Sequence, residues 1–257
     1  MSAQILPTLS VEKVWGREQL PAPFSAPDGQ RIGEIWFDPP AGLDSLLAKY
    51  LFTSEKLSVQ VHPPGKDECW LVLECDQGAA LAVGFRKQYS VDELRQGALD
   101  GSIEQMLVWH PVAPGDFVYL PAGTVHAIGA GCTLVELQQN CGITYRFYDY
   151  GRPRELHLEE ALAHAERGPH DQALRTSAGH ATACLVDGPF FRLDRIVGAI
   201  DGESARAHPS RCLVLPLAGS VECDAEALPA GSCAMVDSLG EVSASEDAVT
   251  LVCSPRG

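Results

Sequence analysis

Gly115-Asp116-Phe117-Val118-Tyr119-Leu120-Pro121-Ala122-Gly123-Thr124-Val125-His126 reads as a strand that ends in a Pro-Ala-Gly turn and aims an imidazole back along a sheet. Upstream, Leu57-Ser58-Val59-Gln60-Val61-His62 is an apolar, alternating run. Side chains two apart on a strand share a face, so Gln60 and His62 converge. Pro63, Pro64 and Gly65 break that strand, and Glu68 opens the next run, Cys69-Trp70-Leu71-Val72-Leu73. A short turn is expected to return Glu68 beside His62 on the neighbouring strand. Taken singly, each histidine would be structural or solvent-facing, Gln60 a polar edge residue and Glu68 a turn carboxylate. Together, two imidazoles, a carboxylate and an amide oxygen with open positions suit one zinc or similar divalent ion at a catalytic site.

Gly115, Pro121, Gly123 and His126 fit the Gly-x5-Pro-x-Gly-x2-His second motif of the cupin β-barrels without a gap. The first cupin motif normally offers His-x-His before its Glu, whereas here it is Gln60-x-His62. Further motifs narrow the family. They are Lys13-Val14-Trp15-Gly16, Gly33-Glu34-Ile35-Trp36, Gly65-Lys66-Asp67-Glu68-Cys69-Trp70, Glu136-Leu137-Gln138-Gln139-Asn140 and Thr144-Tyr145-Arg146-Phe147-Tyr148-Asp149-Tyr150-Gly151-Arg152. In this order they make most of residues 10–160 resemble the type I phosphomannose isomerases. The resemblance implies a zinc enzyme that interconverts mannose 6-phosphate and fructose 6-phosphate.

The expected fold is mainly β, a double cupin of jelly-roll barrels with a small helical segment and no metal site in the second barrel. Residues 1–167 would form the metal-binding barrel, 168–182 a polar linker and 183–257 a degenerate second barrel. Ser90 and Glu93 form a capping-box pattern, and Val91, Leu94, Ile103 and Leu107 mark two short helices near 90–107, broken near Gly97 and Gly101. Residues 158–167 read as one more helix. In the second half, His208-Pro209 before Cys212-Leu213-Val214-Leu215 echoes His62-Pro63, and Gly231-Ser232-Cys233-Ala234-Met235-Val236 echoes the run from Gly115. That copy has no counterpart of Glu68 or His126.

With 257 residues, 46% hydrophobic and 21% charged, the chain has the composition of an ordinary soluble protein. No signal peptide or membrane-length apolar run is legible, so the expected location is cytoplasmic. The nine cysteines lack Cys-x-x-Cys pairs and read as reduced, mostly buried thiols. Alternation turns Cys69 away from the face of Glu68. A net charge of −15 argues against nucleic acid or an anionic membrane as partner. A sugar phosphate then needs a locally positive mouth, for which Lys49, Lys66, Arg146 and Arg152 are candidates. Oligomeric state is left open.

The implied chemistry moves a proton between C1 and C2 of an open-chain sugar phosphate through a cis-enediol. Arg146 is the expected cation near the enediolate or phosphate, since a guanidinium stabilises charge better than it gives up a proton. The plainer alternative for Arg146 is a surface salt bridge with Asp149. Lys66, two residues before Glu68, would face the same cavity and serve proton transfer or phosphate binding; its plainer alternative is a solvated turn. Relatives usually carry an Asp where this chain has Gly142. The base is therefore open among Lys66, Asp149, His110 and metal-bound hydroxide. Another metal cupin enzyme, or a sugar-binding or regulatory cupin without turnover, are the competing functions.

Overall fold

A computed structural model describes residues 3–177, 179 and 181–256. The chain folds into stacked β layers, with the helices Val91–Asp100, Ile103–Met106 and Leu158–His164 packed around one apolar cluster. A seven-stranded sheet runs in the order Arg175–Ser177, Asp116–Leu120, Glu68–Cys75, Cys132–Gln139, Leu46–Phe52, Ile32–Phe37, Thr8–Arg17. A five-stranded sheet runs Tyr145–Tyr148, Val59–Val61, His126–Ile128, Ala80–Phe85, Leu107–Pro111. All of these pairings are antiparallel. The two sheets enclose a core that includes Trp15, Leu51, Trp70, Val72, Leu81, Val118, Leu120 and Leu134.

Strict alternation along the central strands explains the layering. On Glu68–Cys75, Trp70 and Val72 point into the barrel while Cys69 and Leu71 point outward. Cys69 does face away from Glu68, as its position in the strand requires. Those outward residues pack on a six-stranded sheet from the C-terminal half through Phe191, Leu193, Leu213, Leu215 and Leu251. That sheet runs Gln4–Ile5, Ala234–Val236, Cys212–Ala218, Val249–Pro255, Phe191–Val197, Ala183–Asp187. Its far face packs on a three-stranded sheet, Glu226–Leu228, Val221–Cys223, Val242–Ala244, around a separate core. The hairpin there turns on Asp224 and Ala225, both left-handed, as a two-residue connection demands. Full burial of side chains such as Trp70, Tyr50 and Phe52 contributes on the order of 1.5–3 kcal/mol each.

Several local expectations need correction. The helix Val91–Asp100 has the Ser90–Glu93 capping box but runs straight through Gly97 and stops at the left-handed Gly101. Gly97 faces the following helix, Ile103–Met106, where a Cβ would meet Met106 Sδ at 2.6 Å. Val91 is exposed, and Leu107 opens a strand. The later helix spans only Leu158–His164. The segment read as a linker contains a 3-10 turn, Gln172–Leu174, and the strand Arg175–Ser177, which joins the seven-stranded sheet. At the other end of the chain, Gln4–Ile5 pairs with Ala234–Val236. His208 caps the helix Gly202–Ala207 and lies buried between Asp194 and Ser254, not at a strand end. Among the described residues, no helix is long and apolar enough to cross a membrane, and six of the nine cysteines are buried free thiols.

Candidate active site

The sharp turn after His62 does not make a hairpin. It carries the chain from the five-stranded sheet across to the seven-stranded one, so Glu68 faces His62 across the barrel interior instead of along one sheet. This loop is tied to the Pro121 turn. Asp67 Oδ1 accepts the Ala122 N–H at 3.0 Å, the Tyr119 hydroxyl donates to Asp67 Oδ2, and the Gly123 N–H donates to the His62 carbonyl at 2.9 Å. His126 thereby falls directly opposite Gln60 on adjacent strands. Glu68 lies 3.1 Å from His62 Nε2 through Oε2 and 3.3 Å from His126 Nε2 through Oε1. All three side chains are buried.

Hydrogen bonding sets both imidazole tautomers. His62 Nδ1 donates to the Ile143 carbonyl at 3.0 Å, and His126 Nδ1 donates to the Thr124 carbonyl at 2.9 Å. Each Nε2 then turns a lone pair toward Glu68, the arrangement that outer partners give to metal-bound histidines. Burial pushes the pKa of His126 down to about 4, keeping that lone pair free at neutral pH. Burial works against the Glu68 carboxylate, but positive charge facing it, from His62 and His126 when protonated and from Lys66, holds it below its ordinary range. His62 Nε2 and Glu68 Oε1 are buried and lack hydrogen-bond partners. Converging lone pairs and a carboxylate repel one another unless a cation lies between them, so these residues fit a divalent ion. The Gln60 amide lies 3.1 Å from His126 Nε2, and a half-turn of the amide presents its oxygen to the same place.

Of these residues, Gln60, His62 and Glu68 line a cavity of about 470 Å³. Five cations, Lys13, Lys49, Lys66, Arg146 and Arg154, share its wall with three carboxylates, Glu34, Glu68 and Glu136. Local charge is therefore positive inside an acidic protein. Lys66 is buried, not a solvated turn; its Nζ donates to Thr144 Oγ1 at 3.3 Å, and burial lowers its pKa. Arg146 lines the cavity and does not form the alternative salt bridge to Asp149, which pairs with Arg154 at 2.6 and 2.7 Å. Lys49 does line the cavity, but its charge is taken up by Glu136 at 2.8 Å.

Three candidates fall away from the cavity. Arg152 does not line the cavity; it donates to the Lys56 carbonyl, pairs with Asp149 at 3.4 Å and stacks over Tyr150. His110 lies on another face, bonded to Arg175 at 2.7 Å, and Asp149 is locked in its guanidinium pair, so neither is placed to act as base. Glu34, Glu136, Gln138, Arg154 and His157 line the cavity and had no assigned role. The first three could have been found as charged or polar residues at inward positions of otherwise apolar strands. Arg154 and His157 lie beyond the last motif, in irregular chain that carries no periodic signal. At Gly142, where the resemblance leads to an Asp, a Cβ would meet nothing within 4 Å, so this part of the cavity wall is open.

No protein-family model matches the chain. It is 37% identical over 178 residues to a mannose-6-phosphate isomerase of Streptococcus mutans, covering 62% of this chain and 56% of that protein. To the mannose-6-phosphate isomerase ManA of Bacillus subtilis it is 40% identical over 135 residues, 46% of this chain and 42% of that one. Over the matched stretches the chain is thus similar to proteins named mannose-6-phosphate isomerase. It spans about half the length of the curated relatives it matches. The crystal structure of the B. subtilis mannose 6-phosphate isomerase superposes with a TM-score of 0.76 at 23% identity, over 99% of this chain and 100% of that one. A zinc-bound mannose 6-phosphate isomerase superposes with a TM-score of 0.71 at 14% identity, over 100% of both chains. These likenesses establish the mainly β, cupin-like fold.

Proposed function

We propose that the chain is a metal-dependent aldose–ketose isomerase acting on mannose 6-phosphate and fructose 6-phosphate. The observation that carries this is the buried His62–Glu68–His126 cluster, of which His62 and Glu68 line a cavity rich in cations. Gln60, His62, Glu68 and His126 would hold one zinc ion, or another divalent metal. When bound, the ion would supply Lewis acidity toward the sugar oxygens at C1 and C2. The homologues named mannose-6-phosphate isomerase and the zinc-bound structural neighbour support the substrate and the metal.

The chain's own residues supply the remainder. Lys66 sits in the cavity wall two residues before Glu68, and its pKa is lowered by burial, which makes the amine readier to give up a proton. Arg146 keeps its charge at any working pH and stabilises the anionic intermediate. Deep placement of the carboxylate and imidazoles excludes bulk water from the reacting carbons.

Conversion of mannose 6-phosphate to fructose 6-phosphate by metal-loaded protein, beside Lys66→Ala, tests the proposal. Turnover is expected in the wild type and should fall about 100-fold or more in the variant, in line with lost proton transfer. Full metal content with no turnover of this sugar would sink the reading.

A further inference from the structure

A second cleft opens where the two barrel sheets run out of partners. Arg175–Ser177 is an edge strand of the seven-stranded sheet, and Leu107–Pro111 is an edge strand of the five-stranded one. Directly opposed residues of antiparallel strands share a face. Arg175 stands opposite Val118 and His110 opposite Leu81, and both apolar partners belong to the barrel core. Each edge therefore turns a basic side chain inward, and the two meet across the seam, where Arg175 Nη1 donates to His110 Nδ1 at 2.7 Å. They line a cleft of about 330 Å³ that shares no lining residue with the cavity holding His62 and Glu68.

The Arg175 charge is left without a counter-ion. A guanidinium only donates, so His110 Nδ1 accepts and the ring carries its proton on Nε2. Burial, then the charges of Arg175 and His170, push the His110 pKa down, which keeps the ring uncharged at neutral pH. Arg175 Nε is buried with no hydrogen-bond partner, and among the described residues no carboxylate forms an ion pair with this guanidinium. Asp116 also lines the cleft, but its Oδ2 accepts the Ala113 N–H at 2.9 Å; Asp171 likewise accepts the Ala173 N–H at 2.9 Å. A half-buried positive charge that leans on a neutral imidazole is unfavourable until an anion joins it. We infer that this seam cleft is a second binding site, where Arg175, with His110 beside it, takes a small oxyanion, either a phosphate or a carboxylate. Both groups match the guanidinium fork, and Gln172, Thr176 and Ser177 add neutral polar groups to the lining. The cleft is larger than a bare oxyanion, so the body of a small metabolite fits with it. The inference does not rest on the isomerase reading.

Proton NMR of the histidine rings during a titration with inorganic phosphate, at constant pH and ionic strength, tests the site without turnover. The His110 resonance, identified by its absence from His110→Gln, should shift and saturate in the wild type. It should do the same in Arg146→Gln, whose change lies in the other cavity. In Arg175→Gln, half-saturation should need about 10-fold more phosphate or beyond. Arg175→Lys keeps the charge but not the fork and should fall between; it decides the matter if Arg175→Gln does not fold. Acetate in place of phosphate separates the two ligands: a response to phosphate alone assigns a phosphate, and an equal response to acetate extends the site to carboxylates. A His110 ring that phosphate leaves unmoved in the wild type, or that chloride moves equally, would overturn the inference. So would a response unchanged in both Arg175 variants, or one lost in Arg146→Gln, which would place the anion in the other cavity.

Discussion

Lys49 and Glu136 stand directly opposite each other on adjacent antiparallel strands, and Lys49 Nζ lies 2.8 Å from Glu136 Oε1. On its other side Glu136 faces Trp70, whose indole N–H donates to Oε2 at 3.0 Å, and the Trp70 ring meets His126 edge-on at 5.3 Å. Burial pushes the Lys49 pKa down, but Glu136 and Glu34 outweigh it and hold it above its ordinary value. That stabilisation is complete below the unfolded value of 10.5 and disappears as pH rises through the higher folded one. Glu136→Gln would leave a buried ammonium poorly compensated, so it should cost about 3 kcal/mol in urea unfolding at pH 7. Lys49→Met with Glu136→Gln should cost less than the sum of the single changes, since no unpaired charge remains. Additive losses would show that the pair is not coupled.

Removing the metal should unmask the repulsion between Glu68 and the two Nε2 lone pairs. Chelation should lower the melting temperature, and zinc should restore it, because an ion that binds only the folded chain stabilises by mass action. His126→Ala should weaken metal binding at least about 100-fold and lose that thermal response. Elemental analysis beside a melting curve checks both. A variant that keeps stoichiometric metal would remove His126 from the ligand set.

Acid sensitivity should trace in part to Glu34. Burial raises its pKa, but Lys49 and Lys13 outweigh this, and the folded carboxyl titrates below 4.5. A depressed carboxylate contributes stability that is present above its unfolded value and lost as pH falls through the folded one. For metal-free protein, the urea midpoint should therefore drop as pH falls from about 5 to about 3, and less steeply in Glu34→Gln. The amide oxygen introduced by Glu34→Gln can still accept the Trp36 indole N–H that the carboxylate accepts at 2.8 Å, so the difference isolates the charge. Parallel slopes would assign the acid limb to other groups.

The convergence of His62, Glu68 and His126 was legible because these residues lie next to chain breaks that alternation alone can interpret: Pro63 after His62, and Pro121 to Gly123 before His126. The direction of the break after His62 was not, since a turn between strands of one sheet and a crossing between two sheets share the same Pro-Pro-Gly signal. Tertiary contacts also overrode local propensity at Gly97, where close approach of the next helix, not a break, requires the missing side chain. The strand Arg175–Ser177 was invisible because its polar, exposed sequence is held to the sheet edge by backbone bonds to Asp116–Leu120. Arg146 was found and Arg154 was not, since only the first lies on a strand; the second is placed by the buried carboxylate of Asp149.

Gly16 and Gly33 explain why two N-terminal motifs so far along the chain from His62, Glu68 and His126 carry glycines. The strand Thr8–Arg17 is irregular against Ile32–Phe37, with register shifts after Val11 and Glu12. At that irregularity the backbones come together: a Cβ on Gly16 would lie 2.5 Å from Gly33 N and 2.5 Å from the Ile32 carbonyl carbon. Backbone atoms cannot rotate away as a side chain can, so Gly16→Ala must push the two strands apart. Trp15, which lines the cavity, and Lys13, which pairs with Glu34, lie on the displaced strand. The expected result is a loss of about 1–3 kcal/mol in unfolding free energy, as for other overpacked sites, together with weakened substrate turnover. Calorimetric melting beside steady-state kinetics checks it. Full stability in Gly16→Ala would mean that the two strands can separate freely and that this close contact does not hold Trp15 in the cavity wall.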